Sequence, residues 1–216
     1  MGSINTPIAV ISGDIVNSTK LTKMEYERLL VNLKDIQTWI TEENSKNAHS
    51  IVRGDEFQSV IHDIQHALRY TIIYRLSIKS LGKAFDSRIS FAIAANADLR
   101  ELLPESMGEA FVLSGRGLKE IKNDRLLFTC EYPTLTEQFE LLFKYLDKQI
   151  TELTARQCEV LLPMIKSKKE LTISELAQEL DIATATTSKS LKASGWSLIK
   201  ALNTKFVKQV MEFKYD

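Results

Sequence analysis

Residues 9–19 read "AVISGDIVNST". Together with Pro7 and Ile8 the apolar part is short and β-branched, the signature of a buried strand. Ser12-Gly13 then leads to a carboxylate, Asp14, and the chain leaves through the polar turn Asn17-Ser18-Thr19. A lone Asp at a strand end is usually a cap or a turn residue. It becomes a metal-ligand candidate when a second carboxylate converges on it. What lies on either side of this strand therefore decides both the fold and the chemistry.

Working outward, Thr22 with Glu25 forms a capping box, so a helix starts there. Leu29, Leu30, Leu33, Ile36 and Ile40 recur behind it at helical spacing. Residues 50–53 and 56–61 read as two strands around Gly54-Asp55, a pair with tight-turn chemistry. Residues 67–80 are helical by period, and 88–95, "RISFAIAA", alternate like a half-buried strand. A helix over 108–121 and a short strand over 126–130 follow. The order β-α-β-β-α-β-α-β predicts an α+β fold, a ferredoxin-like or palm-type sheet with its helices on one face.

Glu131-Tyr132-Pro133-Thr134 breaks the pattern. Phe139, Leu142, Leu146 and Ile150 then mark a connecting helix, which divides the chain into 1–131, 132–151 and 152–216. In the last part, Thr154 with Gln157 and Thr172 with Glu175 are two more capping boxes, separated by "KSKK" at 166–169, an expected exposed loop. Residues 172–191 fit a helix-turn-helix, giving a small all-α domain with or without a wing. Ala177 is small where two helices cross. Ile173, Leu176 and Leu180 bury one face. Asp181 stands where the chain turns left-handed, a conformation Asp tolerates better than most residues. Thr184 is expected to cap the second helix and Leu191 to face inward, while the hydroxyl of Thr187 needs a partner. Such a second helix enters the DNA major groove, which makes Thr184, Thr186, Ser188, Lys189 and Lys192 the candidate DNA contacts. Basic residues at 166, 168, 169, 189 and 192 are placed where phosphates would lie. A three-helix protein-interaction module with a solvated charged face is the alternative.

Bulk numbers narrow the classes. The chain has 216 residues, 44% hydrophobic and 26% charged, with 28 basic against 28 acidic side chains. A polybasic binder is excluded; a local basic patch is not. Cys130 and Cys158 form neither a disulfide framework nor a metal knuckle, so reduced thiols in a cytoplasm are expected. No apolar run approaches the roughly 18 residues of a membrane span. His62 and His66 lie at i, i+4 without zinc framing and read as solvated, while Trp39 and Trp196 read as packing anchors.

The second carboxylate is Asp55 in "RGDEF", 41 residues after Asp14. If the two strands are neighbours, both carboxylates reach one sheet edge. Mg²⁺ there would hold triphosphate oxygens, and backbone N–H groups of Asn17, Ser18 and Thr19 would cradle the phosphates. "ISGDIVNST", "IVRGDEF", "RISFAIAAN" and "GEAFVLSGRGL", in that order, resemble the class III nucleotidyl cyclases and, more distantly, the diguanylate cyclases. The resemblance implies metal binding by Asp14, the carbonyl of Ile15, and Asp55, with Glu56 a lesser third candidate. It implies a phosphoryl-stabilising role for Arg116. Arg53 lies near that site, and Glu105 matches the acidic base-reading position. The family's ribose-orienting Asn is Val112 here, and its purine-reading Lys is Ile51. The implied cofactor is Mg²⁺ or Mn²⁺ with a nucleoside triphosphate, and a homodimer is implied because the family's sites form between protomers. Across nearly its whole length the chain also resembles the SatD family of small bacterial proteins, which begin with an "SGDIVxST"-like stretch and end in a helix-turn-helix-like segment. The expected function is a DNA-binding transcriptional regulator whose degenerate cyclase-like part binds a metal-nucleotide, or serves as a dimeric sensor, without robust turnover. The alternative is an active Mg/Mn-dependent nucleotidyl cyclase or other nucleotidyl-transfer enzyme.

Overall fold

The computed structural model describes residues 3–4, 6–52, 54–95 and 97–212. Its first half alternates β1 (Ile8–Ile15), α1 (Lys23–Glu43), β2 (Ala48–Val52), β3 (Glu56–Ile61), α2 (Ala67–Ser80), β4 (Ser87–Ala94), α3 (Glu109–Glu120) and β5 (Leu126–Cys130). These strands form a five-stranded sheet in the order β2-β3-β1-β4-β5. β1 is antiparallel to both β3 and β4, and β5 joins β4 in parallel. The first four strands with α1 and α2 are the split βαβ of a ferredoxin-like fold. The capping box at Thr22 and Glu25 forms as expected.

β1 is central, so it must be apolar on both faces. Ala9 and Ile11 face one cluster with Leu29, Leu33 and Tyr74, while Ile8 and Val10 face another with Val60, Ala94 and Ala110. That second face corrects the expectation of helices on one side only. Parallel β4 and β5 require a crossover, and its helix, α3, covers the apolar residues that α1 and α2 leave open. α3 comes close because Gly117 lacks a side chain: a Cβ there would sit 2.4 Å from Ser90 Oγ.

The second half is helical: α4 (Pro133–Glu152), α5 (Ala155–Lys166), α6 (Ile173–Glu179), α7 (Thr184–Ala193) and α8 (Trp196–Glu212). Pro133 opens α4, where its missing N–H costs nothing. α8 stands where a wing was allowed for; among the described residues no strand follows Cys130. Phe206 of α8 inserts among Phe91 and Phe128 of the sheet and Phe139 and Phe143 of α4, with ring centroids at 5.9, 5.6, 5.4 and 6.1 Å. One buried apolar cluster thus runs from Ala9 to Val210.

α6 and α7 cross as the residue types require. Asp181 adopts φ 51°, and the amide of Ile182 donates to the carbonyl of Ala177 at 3.0 Å, closing the turn over a side chain small enough to allow it. Leu176, Ala177 and Leu191 are buried. The hydroxyl of buried Thr187 donates to the Ala183 carbonyl at 3.2 Å, which supplies the partner it needed. Two expectations are corrected. Ala183, not Thr184, is the N-cap of α7, with no side-chain cap bond, so Thr184 is the first helical residue. Ile173 is 40% exposed: α6 has only 7 residues, and Leu176 and Ala177 already fill its crossing.

Candidate functional site

The ladder places Asp14 opposite Glu56 of β3 and opposite Arg88 of β4, a row of charges across the face that α3 covers. Arg88 donates through Nε and Nη2 to the two Asp14 carboxylate oxygens, at 2.9 and 2.5 Å. This is the bidentate fork that guanidinium geometry favours. The hydrogen bonds to Asp14 push the Arg88 pKa above its ordinary value, against the opposing effect of burial. The row lines a hollow of about 450 Å³ together with Ser12, Gln58 and Lys119. Gln58 donates to the Ser12 hydroxyl at 3.2 Å, and that hydroxyl lies 3.1 Å from Ser114 of α3.

Asp55 sits in the β2–β3 turn. Its carbonyl accepts from the Ile15 amide at 3.0 Å, which fixes the hairpin to the end of β1. Its carboxylate accepts from the Ser18 hydroxyl at 2.6 Å. Gly54 makes this turn possible: φ is +81°, and a Cβ would lie 1.6 Å from the Tyr26 hydroxyl. The two aspartates therefore reach one end of the sheet, but Asp14 is held by Arg88 inside the hollow, while Asp55 is held by Ser18 and does not line it. Glu56 lies on the Asp14 face because side chains alternate, and it lines the hollow. Among the described residues no group of three or more His, Cys, Asp and Glu is arranged to hold a metal ion.

The remaining candidates are scattered. The Ile15 side chain is buried in the core. Asn17 adopts φ 55° and precedes a single 3₁₀ turn at Ser18–Lys20; Asn17 and Thr19 are exposed. Glu105 and Arg116 are exposed and do not line the hollow, and Val112 is 46% exposed on the same helix as Arg116. Arg53 lies outside the described residues. Arg88 and Lys119 escaped sequence reading. The signal for Arg88 was its place at the head of an alternating strand, where a central β1 puts it beside Asp14.

On α7, Thr184, Thr186, Ser188, Lys189 and Lys192 are all exposed. Of the "KSKK" lysines, Lys166 differs from expectation. It lies over the Trp39 ring at 5.2 Å, and burial lowers its pKa. Lys168 pairs with Glu43 at 3.1 Å and Lys169 with Glu175 at 3.6 Å. Lys166 thus ends α5 half-buried, while Lys168 and Lys169 are exposed, as expected of the loop, and reach α1 and α6 through surface ion pairs. The histidines also differ: burial lowers the pKa of both His62 and His66, and His66 lies 5.8 Å from the Tyr70 ring. Cys130 and Cys158 are free thiols buried in the core, with pKa values pushed up by burial to about 11 and about 12.

No family model matches the sequence, and no curated protein matches it. Solved structures do. The guanylyl cyclase Cya2 is 12% identical, over 59% of this chain and 77% of that one, with a TM-score of 0.45. The monomeric guanylyl cyclase domain of the RhoGC fusion protein from the aquatic fungus Blastocladiella emersonii is 17% identical, over 56% and 78%, at 0.45. A bacterial light-regulated adenylyl cyclase is 15% identical, over 59% and 77%, at 0.43. All three are nucleotidyl cyclases by name.

Proposed function

We propose that the chain is a bacterial DNA-binding transcriptional regulator whose sheet module binds a metal-nucleotide. The observation that carries the reading is α7: a helix set on a tight left-handed turn at Asp181, anchored by Thr187 and Leu191, presenting three hydroxyls and two lysines to solvent. Hydroxyls and amines are the donors that phosphates and base edges accept. On α7 itself, Lys189 and Lys192 carry the electrostatic share. Fluorescence anisotropy with duplex DNA tests it. Each lysine on a phosphate contributes about 0.9 to the slope of log K against log salt, so the Lys189→Ala, Lys192→Ala double variant loses about 2 from that slope. Retention and slope unchanged from the parent reject α7 as the reading helix.

The ligand half of the proposal rests on Asp14 and Asp55 reaching one sheet end. Asp14, the Ile15 carbonyl and Asp55 would hold Mg²⁺ or Mn²⁺, and the 17–19 backbone would face the triphosphate. The cation would supply the charge that draws in phosphate oxygens. It has to displace Arg88 from Asp14, and this favours binding over turnover, as do Val112 and the position of Arg116 away from the hollow. Thermal unfolding with Mn²⁺ and ATP or GTP is the check: Tm rises for the parent and not for Asp14→Asn or Asp55→Asn. No shift in the parent ends the ligand half and leaves the DNA half standing. Cyclic nucleotide made by the parent but not by Asp14→Asn replaces the regulator reading with the enzyme one. Buried thiols suit a reducing cytoplasm, and no helix among the described residues is long and apolar enough to cross a membrane. The SatD resemblance, which joins the same two parts, supports their coupling in one regulator.

A further inference from the structure

The outer side of α4 and α8 carries an apolar patch that nothing among the described residues covers. Leu141, Tyr145 and Leu198 are 65, 67 and 72% exposed. Tyr145 and Leu198 are also walls of a groove of about 400 Å³ whose floor includes Leu142, Leu146 and Leu202. Projecting side chains and a groove thus share one surface, which is what a two-fold interface demands: the same patch must supply both knob and hole. Charge points to the same occupant. Along the exposed side of α4, Glu137 and Glu140 precede Leu141 and Tyr145 while Lys144 and Lys148 follow, ahead of Glu152 at the helix end; Lys144 already pairs with Glu140 in its own helix at 2.6 Å, which leaves Glu137 and Lys148 to set the orientation. A second α4 laid antiparallel across the stripe brings the acids of each copy against the lysines of the other; laid parallel, it brings like against like.

We infer that the α4–α8 face is the homodimer interface of this protein, with two copies of α4 antiparallel about a two-fold axis near Leu141–Tyr145. Tyr145 and Leu198 of each copy enter the groove of the other. Glu137 sets the orientation against Lys148 of the second copy, beside the Glu140–Lys144 pair that each helix makes within itself. Exposed ion pairs are worth little singly, so the apolar groove gives the affinity and the charges give the register. The dimer stands whether or not α7 reads DNA. If it does, the dimer also fixes the two reading helices, because Gln149 beside the groove donates to the Ser194 carbonyl just after α7, at 3.0 Å.

Light scattering after size exclusion reads the mass across a dilution series. The full chain is expected at twice 24.5 kDa at tens of micromolar, and the Tyr145→Asp, Leu198→Asp variant at the mass of one chain with an unchanged circular dichroism spectrum. Both side chains are exposed, so folding tolerates the change. Charge reversal is the second arm and does not touch the groove. Glu137→Lys with Glu140→Lys raises the dimer Kd at least tenfold, and adding Lys144→Glu with Lys148→Glu restores it to within threefold of the parent. A parent that runs as one chain overturns the inference. So does a Tyr145→Asp, Leu198→Asp variant that stays dimeric, or a fourfold charge reversal that fails to restore the dimer. A dimer lost instead by substituting Val112 and Met107 would place the interface on the α3 side.

Discussion

At the level of single residues, polar groups reach the core at a few sites, and His49, half-buried on the edge strand β2, is the most telling. Its Nδ1 lies 2.8 Å from the Ser59 hydroxyl, which lies 2.8 Å from the buried Tyr74 hydroxyl. Its Nε2 is buried without a partner among the described residues. Desolvation pushes the His49 pKa down to about 4, so the ring is neutral in the folded protein at neutral pH. The unfolded chain, with an ordinary His pKa near 6.5, binds a proton that the folded chain refuses. Stability from this site is complete above about pH 6.5 and declines as pH falls toward 4, by at most about 1.4 kcal/mol per pH unit. Urea unfolding at pH 7, 6, 5 and 4.5 checks this: His49→Gln, which cannot titrate, flattens the decline, leaving the smaller contributions of His62 and His66. An unchanged pH slope in that variant contradicts the assignment. Sequence reading could not reach this residue, because a lone His in a strand reveals neither its burial nor its partners. Asp181 and Ala177 were legible because a left-handed turn and a close helix crossing each restrict the residue types they accept. The Arg88 fork was not, since it depends on the register of two strands separated by more than a helix.

Among the elements, the network around Arg75 decides how the sheet half meets the connecting helix. Arg75 of α2 is fully buried and donates to Asp147 of α4 at 2.7 Å and to the Thr151 hydroxyl at 3.1 Å, with Asp86 at 3.4 Å. Asp147 also accepts from the Arg125 amide, before β5, at 2.7 Å. Two charges inside a core are tolerable only while they satisfy each other. Removing Asp147 leaves buried Arg75 with only the longer contact to Asp86 and the Thr151 hydroxyl, at a cost of up to about 3–5 kcal/mol. Asp147→Ala is therefore expected to lower the unfolding free energy in urea by that amount. Arg75→Met with Asp147→Leu loses clearly less than the sum of the two single changes. Additive losses would mean the pair is not a unit. The elements themselves were largely readable, since three capping boxes and the helical and alternating periods mark their starts and types. What periodicity cannot tell is the face a crossover helix takes, which is why α3 was expected beside α1 and α2. The last helix was carried by Ile199, Phe206 and Val210, spaced for one buried face, and lay beyond the segment read for a helix-turn-helix.

Across the whole molecule, motif boundaries divide the chain while packing joins it. "EYPT" breaks the periodicity, yet Phe91 and Phe128 before the break share a ring cluster with Phe139, Phe143 and Phe206 after it. Arg69 of α2 donates to the carbonyls of Ile165 and Lys166 at the end of α5, at 2.8 and 2.6 Å, and its guanidinium lies 5.3 Å from the Trp39 ring of α1. Such contacts join residues far apart in the chain, and local pattern cannot announce them. They bear on function because a ligand at the Asp14 hollow can affect α7 only through packing that both halves share. A continuous core predicts one cooperative transition rather than two, despite a length at which separate domains are common. Calorimetry should therefore give a van't Hoff enthalpy equal to the calorimetric one for the parent. Phe206→Ala, which opens a cavity at the shared cluster, should cost about 3–5 kcal/mol. That loss should appear with one midpoint whether unfolding is followed by Trp39 in a Trp196→Phe background or by Trp196 in a Trp39→Phe background. Two resolved transitions, or a Phe206→Ala effect confined to the Trp196 signal, would mean that the sheet and the helical half fold independently, and a ligand bound to one would have no rigid path to α7 of the other.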